Sequence, residues 1–138
     1  MTDYTTTRPP ANVTADVQVP FSYTVMHGDD PSRRSREQKT VTRTLSLMGL
    51  VFETSSMEVE GFHLSFSQAG FGQNLLEIKL DLGKKFQAIE ILGQVEWYEK
   101  RSSAQGQSFL VGISFIDLQP DALMILRQFL QTVHEIFQ

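Results

Sequence analysis

Basic side chains gather in one short stretch of a chain whose net charge is -4. Guanidinium groups donate paired hydrogen bonds to phosphate oxygens and stack on purine faces. A solvated loop is the ordinary interpretation of such a charge run, and an anion-binding loop is the sharper one. The residues of this basic run are Arg33, Arg34, Arg36, Lys39 and Arg43.

Hydroxyl side chains and a glycine follow at once, inside an apolar segment that we expect to be a single strand over residues 40–54. They are Thr44, Ser46 and Gly49. Glycine within a strand usually marks a bulge or a close approach of another group to the backbone. The spacing therefore predicts either a bulge that turns a barrel corner or a backbone that a ligand can approach.

The sequence offers little for catalysis or metal binding. His27, His63 and His134 are scattered and form no paired-ligand spacing, and the chain has no cysteine. No Gly-x-Ser-x-Gly nucleophile motif is present. We therefore predict no catalytic residue, no metal site and no enzymatic activity.

Composition sets further limits on function. A chain of 138 residues with 41% hydrophobic residues is suited to one globular domain. The net negative charge argues against general nucleic-acid binding. No signal-peptide core and no membrane-spanning apolar run is present. We expect a soluble, cytoplasmic protein that does not insert into a membrane.

Hydrophobic periodicity predicts strands followed by one helix. Alternation marks strands at residues 17–25, 76–82, 86–98 and 109–115, and a strand or insertion hairpin at 61–66. From Pro120 the apolar spacing changes to three and four, which is typical of an amphipathic helix. Five or six short strands before a helix imply a closed or nearly closed antiparallel barrel with a helical lid. The helix stripe comprises Leu123, Leu126, Leu130, Val133 and Phe137.

Three segments resemble the PilZ domain, a small bacterial β-barrel that senses cyclic di-GMP (c-di-GMP). They are residues 44–52, 93–97 and 111–115, with the helix near Pro120 after them. The resemblance implies an all-β, six-stranded antiparallel barrel over residues 17–138, capped by one C-terminal α-helix. Residues 1–16 would be a flexible N-terminal arm, and residues 55–72 an insertion relative to the family.

The resemblance also implies where c-di-GMP would bind. The family motif Asp/Asn-x-Ser-x-x-Gly matches at Ser46 and Gly49, with Thr44 at the acidic or amide position. The second motif, Arg-x-x-x-Arg ahead of the first strand, is missing, and Arg8 stands alone there. The basic run would replace it, so the implied ligand-binding residues are Arg33, Arg34, Arg36, Arg43, Thr44, Ser46 and Gly49.

Two hypotheses about function follow from the resemblance. One is a c-di-GMP receptor with a degenerate site, in which ligand orders the basic loop over the barrel mouth. The other is a PilZ-type adaptor that binds no nucleotide and works through a protein partner. The basic run and the Ser-x-x-Gly favour the first, and the missing arginine pair favours the second. A β-barrel binding module unrelated to the family is the third alternative. None of the three implies a cofactor.

Overall fold

The computed structural model describes residues 14–66 and 72–136. Within them the alternating segments form strands, and one helix follows. In chain order the elements are β1 (Pro20–Met26), β2 (Gln38–Leu45), β3 (Gly49–Thr54), β4 (Glu58–Val59), β5 (Phe62–His63), β6 (Leu75–Leu80), β7 (Ile89–Ser103), β8 (Gly106–Ile116) and α1 (Pro120–Ile136).

Six of the described strands close into an antiparallel barrel in the order β1-β2-β3-β8-β7-β6. Period-two alternation selects the inner face of each strand. In β6, for example, Leu76, Ile78 and Leu80 are fully buried, and Lys79 between them is exposed. The predicted six-stranded antiparallel barrel with one C-terminal helix is confirmed.

Three aromatic rings hold the barrel wall together from inside. Phe52 of β3 packs edge-on against Phe21 of β1, and its ring centroid also lies 5.3 Å from that of Tyr23. Such pairs contribute about 0.5–1.5 kcal/mol beyond the burial of their area. The three rings thus join β1 to β3 across the barrel interior.

The segment predicted as one strand over residues 40–54 is two strands, and that prediction was wrong. β2 ends at Leu45, residues 46–48 turn the chain, and β3 begins at Gly49. Of the two alternatives predicted for residues 61–66, the insertion hairpin is confirmed, because Phe62–His63 form β5 and pair with β4 outside the barrel. The barrel thus reaches six strands because 40–54 contributes two of them.

Helix α1 covers the end of the barrel that carries the turn between β2 and β3, called the helix end below. Leu126 and Leu130 are buried there, and Leu123 and Val133 are half-buried. Phe129 meets Phe86 of the β6–β7 connection in a T-shaped contact at 5.5 Å. The predicted helix is confirmed over Pro120–Ile136. No described helix combines the length and the apolar character needed to cross a bilayer.

Residues 55–66, the described part of the segment predicted as an insertion over 55–72, cover the opposite end of the barrel, called the hairpin end below. The β4–β5 hairpin places Met57, Val59 and Leu64 in the hydrophobic core. Buried Asn74 donates to the His63 carbonyl at 2.8 Å and accepts from the Gly28 amide at 3.3 Å. The insertion is thereby joined to the connection between β1 and β2. Residues 67–71 lie outside the described residues.

The predicted flexible arm, residues 1–16, lies outside the described residues up to residue 13. Where the description begins, the chain runs antiparallel to β2. Ala15 and Leu45 exchange two backbone hydrogen bonds of 2.9 Å each. Buried Thr42 extends this contact, since its hydroxyl accepts from the Val19 amide at 2.9 Å. The chain therefore approaches the barrel at the helix end.

Candidate functional site

The arginines of the basic run lie mainly in the connection between β1 and β2, at the hairpin end. Arg34 pairs with Glu77 at 3.2 Å, and Arg36 pairs with Glu60 at 3.1 Å. Arg33 is exposed and lies near Asp30, whose pKa is lowered first by hydrogen bonds from Ser32 and to a smaller extent by this cation. All three arginines are exposed, and two of them, Arg34 and Arg36, are paired with carboxylates.

Arg43 belongs to β2 and stands apart from the other arginines. Its guanidinium contacts the Glu53 carboxylate at 3.2 Å, and Ser108 donates to the same carboxylate at 2.8 Å. It is next to Thr44 in sequence. Arg43 is therefore the arginine of the basic run closest to the Ser-x-x-Gly segment.

Ser46 uses its hydroxyl to close the turn between β2 and β3. The hydroxyl oxygen accepts from the amides of Met48 at 3.1 Å and Gly49 at 3.3 Å. A hydroxyl that satisfies turn amides in this way is a common turn device. Ser46 therefore has a structural task that needs no ligand.

Gly49 has a structural task as well. A Cβ atom at this position would lie 1.9 Å from the carbonyl oxygen of Ile113 in β8. No side chain fits at that distance without moving the β3 or the β8 backbone. The close approach that the sequence predicts at Gly49 is thus made by a neighbouring strand.

The structure separates the basic loop from the Ser-x-x-Gly segment. Arg36 precedes β2, and Ser46 follows it. The eight residues of β2 span about 23 Å at roughly 3.3 Å per residue. Thr44, Ser46 and Gly49 lie together at the helix end, whereas Arg33, Arg34 and Arg36 lie at the hairpin end.

A surface cleft of about 380 Å³ lies beside the β2–β3 turn. Its floor is a cross-strand row on the outer face of the barrel, in which Thr44 pairs with Val51, Val51 with Gly112, and Gly112 with Trp97. The cleft brings Thr44, Ser46 and Gly49 together. It is lined by Thr14, Thr44, Ser46, Met48, Gly49, Leu50, Val51, Glu96, Trp97, Gly112, Ile113 and Ser114.

Trp97 is the largest side chain of the cleft, and sequence analysis did not assign it there. Strict alternation from Ile91 and Val95 would turn Trp97 inward. The β7–β8 pairing shifts between Val95 and Trp97, however, and this bulge turns the indole outward, where it is 46% exposed. The indole covers Gly112, where an added Cβ would lie 2.2 Å from the ring. No local sequence signal marks the outward turn of Trp97, because its position opposite Gly112 follows from the β7–β8 register.

The cleft is acidic. Glu96, the extra residue of the bulge, contributes a carboxylate, and no Lys or Arg among the described residues lines the cleft. Glu96 also makes none of the ion pairs found in the described part of the chain. The described residues contain no group of three His, Cys, Asp or Glu side chains that could hold a metal ion. The cleft thus combines an aromatic plane, hydroxyls and one uncompensated negative charge.

Comparison with solved structures identifies the family of known folds that this barrel resembles. The PilZ domain of YcgR from Escherichia coli, solved with c-di-GMP, superposes with a TM-score of 0.56 and 10% identity, covering 86% of this chain and 84% of that one. The chain has the fold of a PilZ domain. The resemblance inferred from residues 44–52, 93–97 and 111–115 is confirmed at the level of the fold.

Two longer proteins contain the same PilZ fold. MrkH of K. pneumonia matches with a TM-score of 0.65 and 14% identity, covering 94% of this chain and 51% of MrkH. The Bacillus subtilis inhibitor of motility, MotI/DgrA, matches with a TM-score of 0.63 and 11% identity, covering 92% and 51%. This chain spans about half the length of either protein. Its sequence matches no protein-family profile and no curated protein.

Proposed function

We propose that this PilZ-like domain is a signalling adaptor that acts through protein contacts, without catalysis and without a requirement for c-di-GMP. One observation carries the proposal. The side chains that would bind phosphate lie at the hairpin end, about 23 Å along β2 from Ser46 and Gly49. Arg34 and Arg36 are each paired with a carboxylate.

Electrostatics supports the adaptor. c-di-GMP carries two phosphate charges, and charge-assisted hydrogen bonds contribute roughly 1.5–3 kcal/mol each. The described lining of the cleft supplies no cation for such bonds and adds the Glu96 carboxylate. Repulsion from this carboxylate opposes an anionic ligand. Because Ser46 and Gly49 also have structural tasks, their presence needs no nucleotide to explain it.

The rim of the cleft offers a surface for a protein partner. Met48, in the β2–β3 turn, is 69% exposed, and Trp97 on the other side of the cleft is 46% exposed. Methionine and aromatic residues are enriched in protein interfaces, and tryptophan often dominates their binding energy. We define Met48 and Trp97 as the rim pair and place the partner contact there.

Quantitative cross-linking and affinity capture from the native cell test the adaptor, with extracts depleted of c-di-GMP and extracts supplied with it. We expect one partner to be retained equally in both extracts and to be lost with Met48→Asp. Met124→Asp is the matched control, because Met124 is 60% exposed on α1, outside the cleft. A partner that is retained only when c-di-GMP is supplied would contradict the proposal.

A specific observation favours c-di-GMP binding as a second candidate. Thr44, Ser46 and Gly49 meet in one cleft beside an exposed indole, and base stacking on an aromatic side chain contributes about 1–3 kcal/mol. In this candidate a guanine stacks on Trp97 near the hydroxyls. Arg43, released from Glu53, is the nearest cation of the basic run. The loop arginines then act only by long-range attraction.

Chemical-shift mapping with c-di-GMP distinguishes ligand binding in the cleft from ligand binding at the basic loop. Binding in the cleft should shift the Trp97 indole and the Gly49 amide, and it should survive joint replacement of Arg33, Arg34 and Arg36 by alanine. Loss of binding in that triple variant would instead assign the ligand to the basic loop, as the sequence-based hypothesis has it. The absence of any shift leaves the adaptor as the function.

A further inference from the structure

The cleft beside the β2–β3 turn holds one carboxylate that no cation of the described chain neutralises. Glu96 is exposed and makes none of the ion pairs found among the described residues. No described Lys or Arg lines the cleft beside it. As the extra residue of the bulge in β7, Glu96 also has no partner in the β7–β8 ladder. The cleft therefore contains an acceptor for a cation that the described chain does not supply.

Two arginines on the same side of the barrel are already held by other carboxylates. Arg101 pairs with Glu99 at 3.0 Å, and Arg43 pairs with Glu53 at 3.2 Å. Glu99 and Glu53 lie opposite the same residue of β8, in the outward row next to the floor of the cleft. Each of these pairs has no net charge. The negative charge of the cleft is therefore that of Glu96.

Trp97 supplies an aromatic plane next to this carboxylate. One face of the indole covers Gly112, where an added Cβ would lie 2.2 Å from the ring, and 46% of the tryptophan is exposed. The face of an indole carries negative electrostatic potential, which attracts a cation within about 6 Å of the ring centroid. Glu96 and Trp97 follow each other in the chain, and both attract a cation to the cleft.

A guanidinium matches these two neighbours better than an ammonium does. It is planar, so it can stack on an aromatic ring, and its N–H donors can bind a carboxylate in the same plane. A lysine ammonium is a compact and strongly hydrated point charge that cannot stack. Met48, on the other side of the cleft, is 69% exposed and offers a flexible apolar contact to the methylene groups of an arginine.

The size of the cleft suits single side chains. Its volume of about 380 Å³ is near the lower end of the range for small-ligand pockets, roughly 300–1,000 Å³. Arginine is enriched in protein interfaces and is among the residues that dominate their binding energy. A protein that inserts one arginine here and packs on the rim pair would use both the charge and the apolar surface of the cleft.

We propose that the protein partner of this domain inserts an arginine into the cleft, where its guanidinium stacks on Trp97 and hydrogen-bonds to the Glu96 carboxylate. This inference rests on the proposed adaptor function and names the chemistry of its partner contact. The contacting segment of the partner carries positive charge, opposite in sign to that of the cleft.

A model peptide tests the cleft in the absence of the partner. The probe is acetyl-Gly-Arg-Gly-amide, followed by the indole N–H signal of Trp97, the one tryptophan in the sequence. We expect saturable shifts at millimolar peptide, weaker binding of the lysine peptide, and no shift with the peptide that contains citrulline, the uncharged analogue of arginine. Equal shifts from the arginine and citrulline peptides, or no shift from either, would overturn the proposal. Equal affinity for the lysine peptide would overturn the assignment to arginine.

Substitutions test the two contacts separately, with the Gly112 amide as the signal. Glu96→Gln should weaken binding of the arginine peptide by about two- to fivefold, the effect of losing a solvent-exposed ion pair. Glu90→Gln is the matched control, because Glu90 is an exposed carboxylate of β7 outside the cleft. Trp97→Ala should abolish binding, and Trp97→Phe, which keeps an aromatic ring, should retain part of it. Unchanged affinity in Glu96→Gln or in Trp97→Ala would overturn the corresponding contact.

Capture from the native cell distinguishes failure of this inference from failure of the adaptor. Glu96→Arg should lose the partner as Met48→Asp does, and Glu90→Arg should retain it. A partner that is lost with Met48→Asp but retained with Glu96→Arg would overturn the arginine contact and leave the adaptor in place. Binding of the arginine peptide by a protein that captures no partner would contradict the adaptor, and would overturn the assignment of the arginine to a protein.

Discussion

At the scale of single residues, the Ser-x-x-Gly segment shows how a ligand motif can serve the fold. The Ser46 hydroxyl satisfies two turn amides, and Gly49 lets the β3 backbone approach Ile113. Both tasks are local. The fold would therefore need Ser46 and Gly49 even in a domain that binds no ligand. The motif therefore indicates the fold more directly than it indicates the ligand.

Gly49→Ala should destabilise the domain by about 1–3 kcal/mol, the usual cost of overpacking. The added Cβ would meet the Ile113 carbonyl oxygen, so β3 and β8 must separate. Urea unfolding measures the change, and Ser55→Ala at an exposed position serves as the control. A Gly49→Ala midpoint equal to that of wild type would show that the two strands are not in close contact.

His63 is a second residue with a structural task, at the hairpin end. Its Nδ1 accepts from the Ser65 amide at 3.0 Å and the Phe66 amide at 3.4 Å, so the neutral ring carries its proton on Nε2. The ring stacks on Phe66 at 3.8 Å. Burial lowers the pKa of His63 below its usual range, and Glu58 opposes this in part. The folded protein thus favours the neutral ring.

Stability should therefore fall as the pH drops through the range below about 6.5, the ordinary histidine pKa. A lowered folded pKa means that the unfolded chain takes up the proton first, so the contribution of His63 is complete above 6.5 and is lost below it. Urea unfolding between pH 7.5 and 5 should show a smaller loss in His63→Gln than in wild type. Identical slopes for wild type and His63→Gln would refute the assignment.

At the scale of elements, hydrophobic periodicity predicted the regular strands and the helix. The alternation in β6 and β8 and the three-and-four spacing in α1 identified these elements because one face of each is buried. The β2–β3 turn was missed, because residues 46–48 carry no proline or glycine between them and two of the three are apolar. Turn chemistry there depends on a side-chain hydroxyl, which a hydrophobic pattern does not register.

The hydrophobic pattern also did not register the bulge in β7, which determines the position of Trp97. A single extra residue reverses the face of everything that follows it in the strand. Alternation counted from Val95 would turn the indole into the core, whereas the structure leaves it 46% exposed at the cleft. Only the β7–β8 register reveals this residue, because it depends on pairing and not on local sequence.

Leu126→Asp should destabilise the domain by roughly 3 kcal/mol or more. Leu→Ala changes in cores cost about 2–5 kcal/mol, and an unpaired buried carboxylate adds to that cost. Leu126 is fully buried on the inner face of α1, whereas Met124, two residues earlier, is 60% exposed. Met124→Asp is therefore the control, and thermal melting compares the two. Equal melting temperatures would mean that α1 does not dock through Leu126.

At the scale of the whole molecule, the two ends of the barrel divide the candidate chemistry. Successive connections of a meander alternate between ends, so a loop before β2 and a turn after it face in opposite directions. The loop arginines and the Ser-x-x-Gly segment both lie near the second predicted strand, and the sequence therefore predicted one combined site. Recognising the turn at residues 46–48 separates them. The fold leaves Arg33, Arg34 and Arg36 at one end and the cleft, with the Glu96 carboxylate, at the other.

Calorimetric titration of c-di-GMP into the full-length protein, at low and at moderate salt, tests the central claim of a nucleotide-independent adaptor most directly. We predict no saturable heat at either ionic strength with the ligand well above micromolar concentration, because the described cleft supplies no cation for the phosphates. Weak heat that disappears at moderate salt would reflect only screened attraction to the basic loop. Saturable binding that persists at moderate salt and is lost with Trp97→Ala would contradict the claim and establish the cleft as a receptor site.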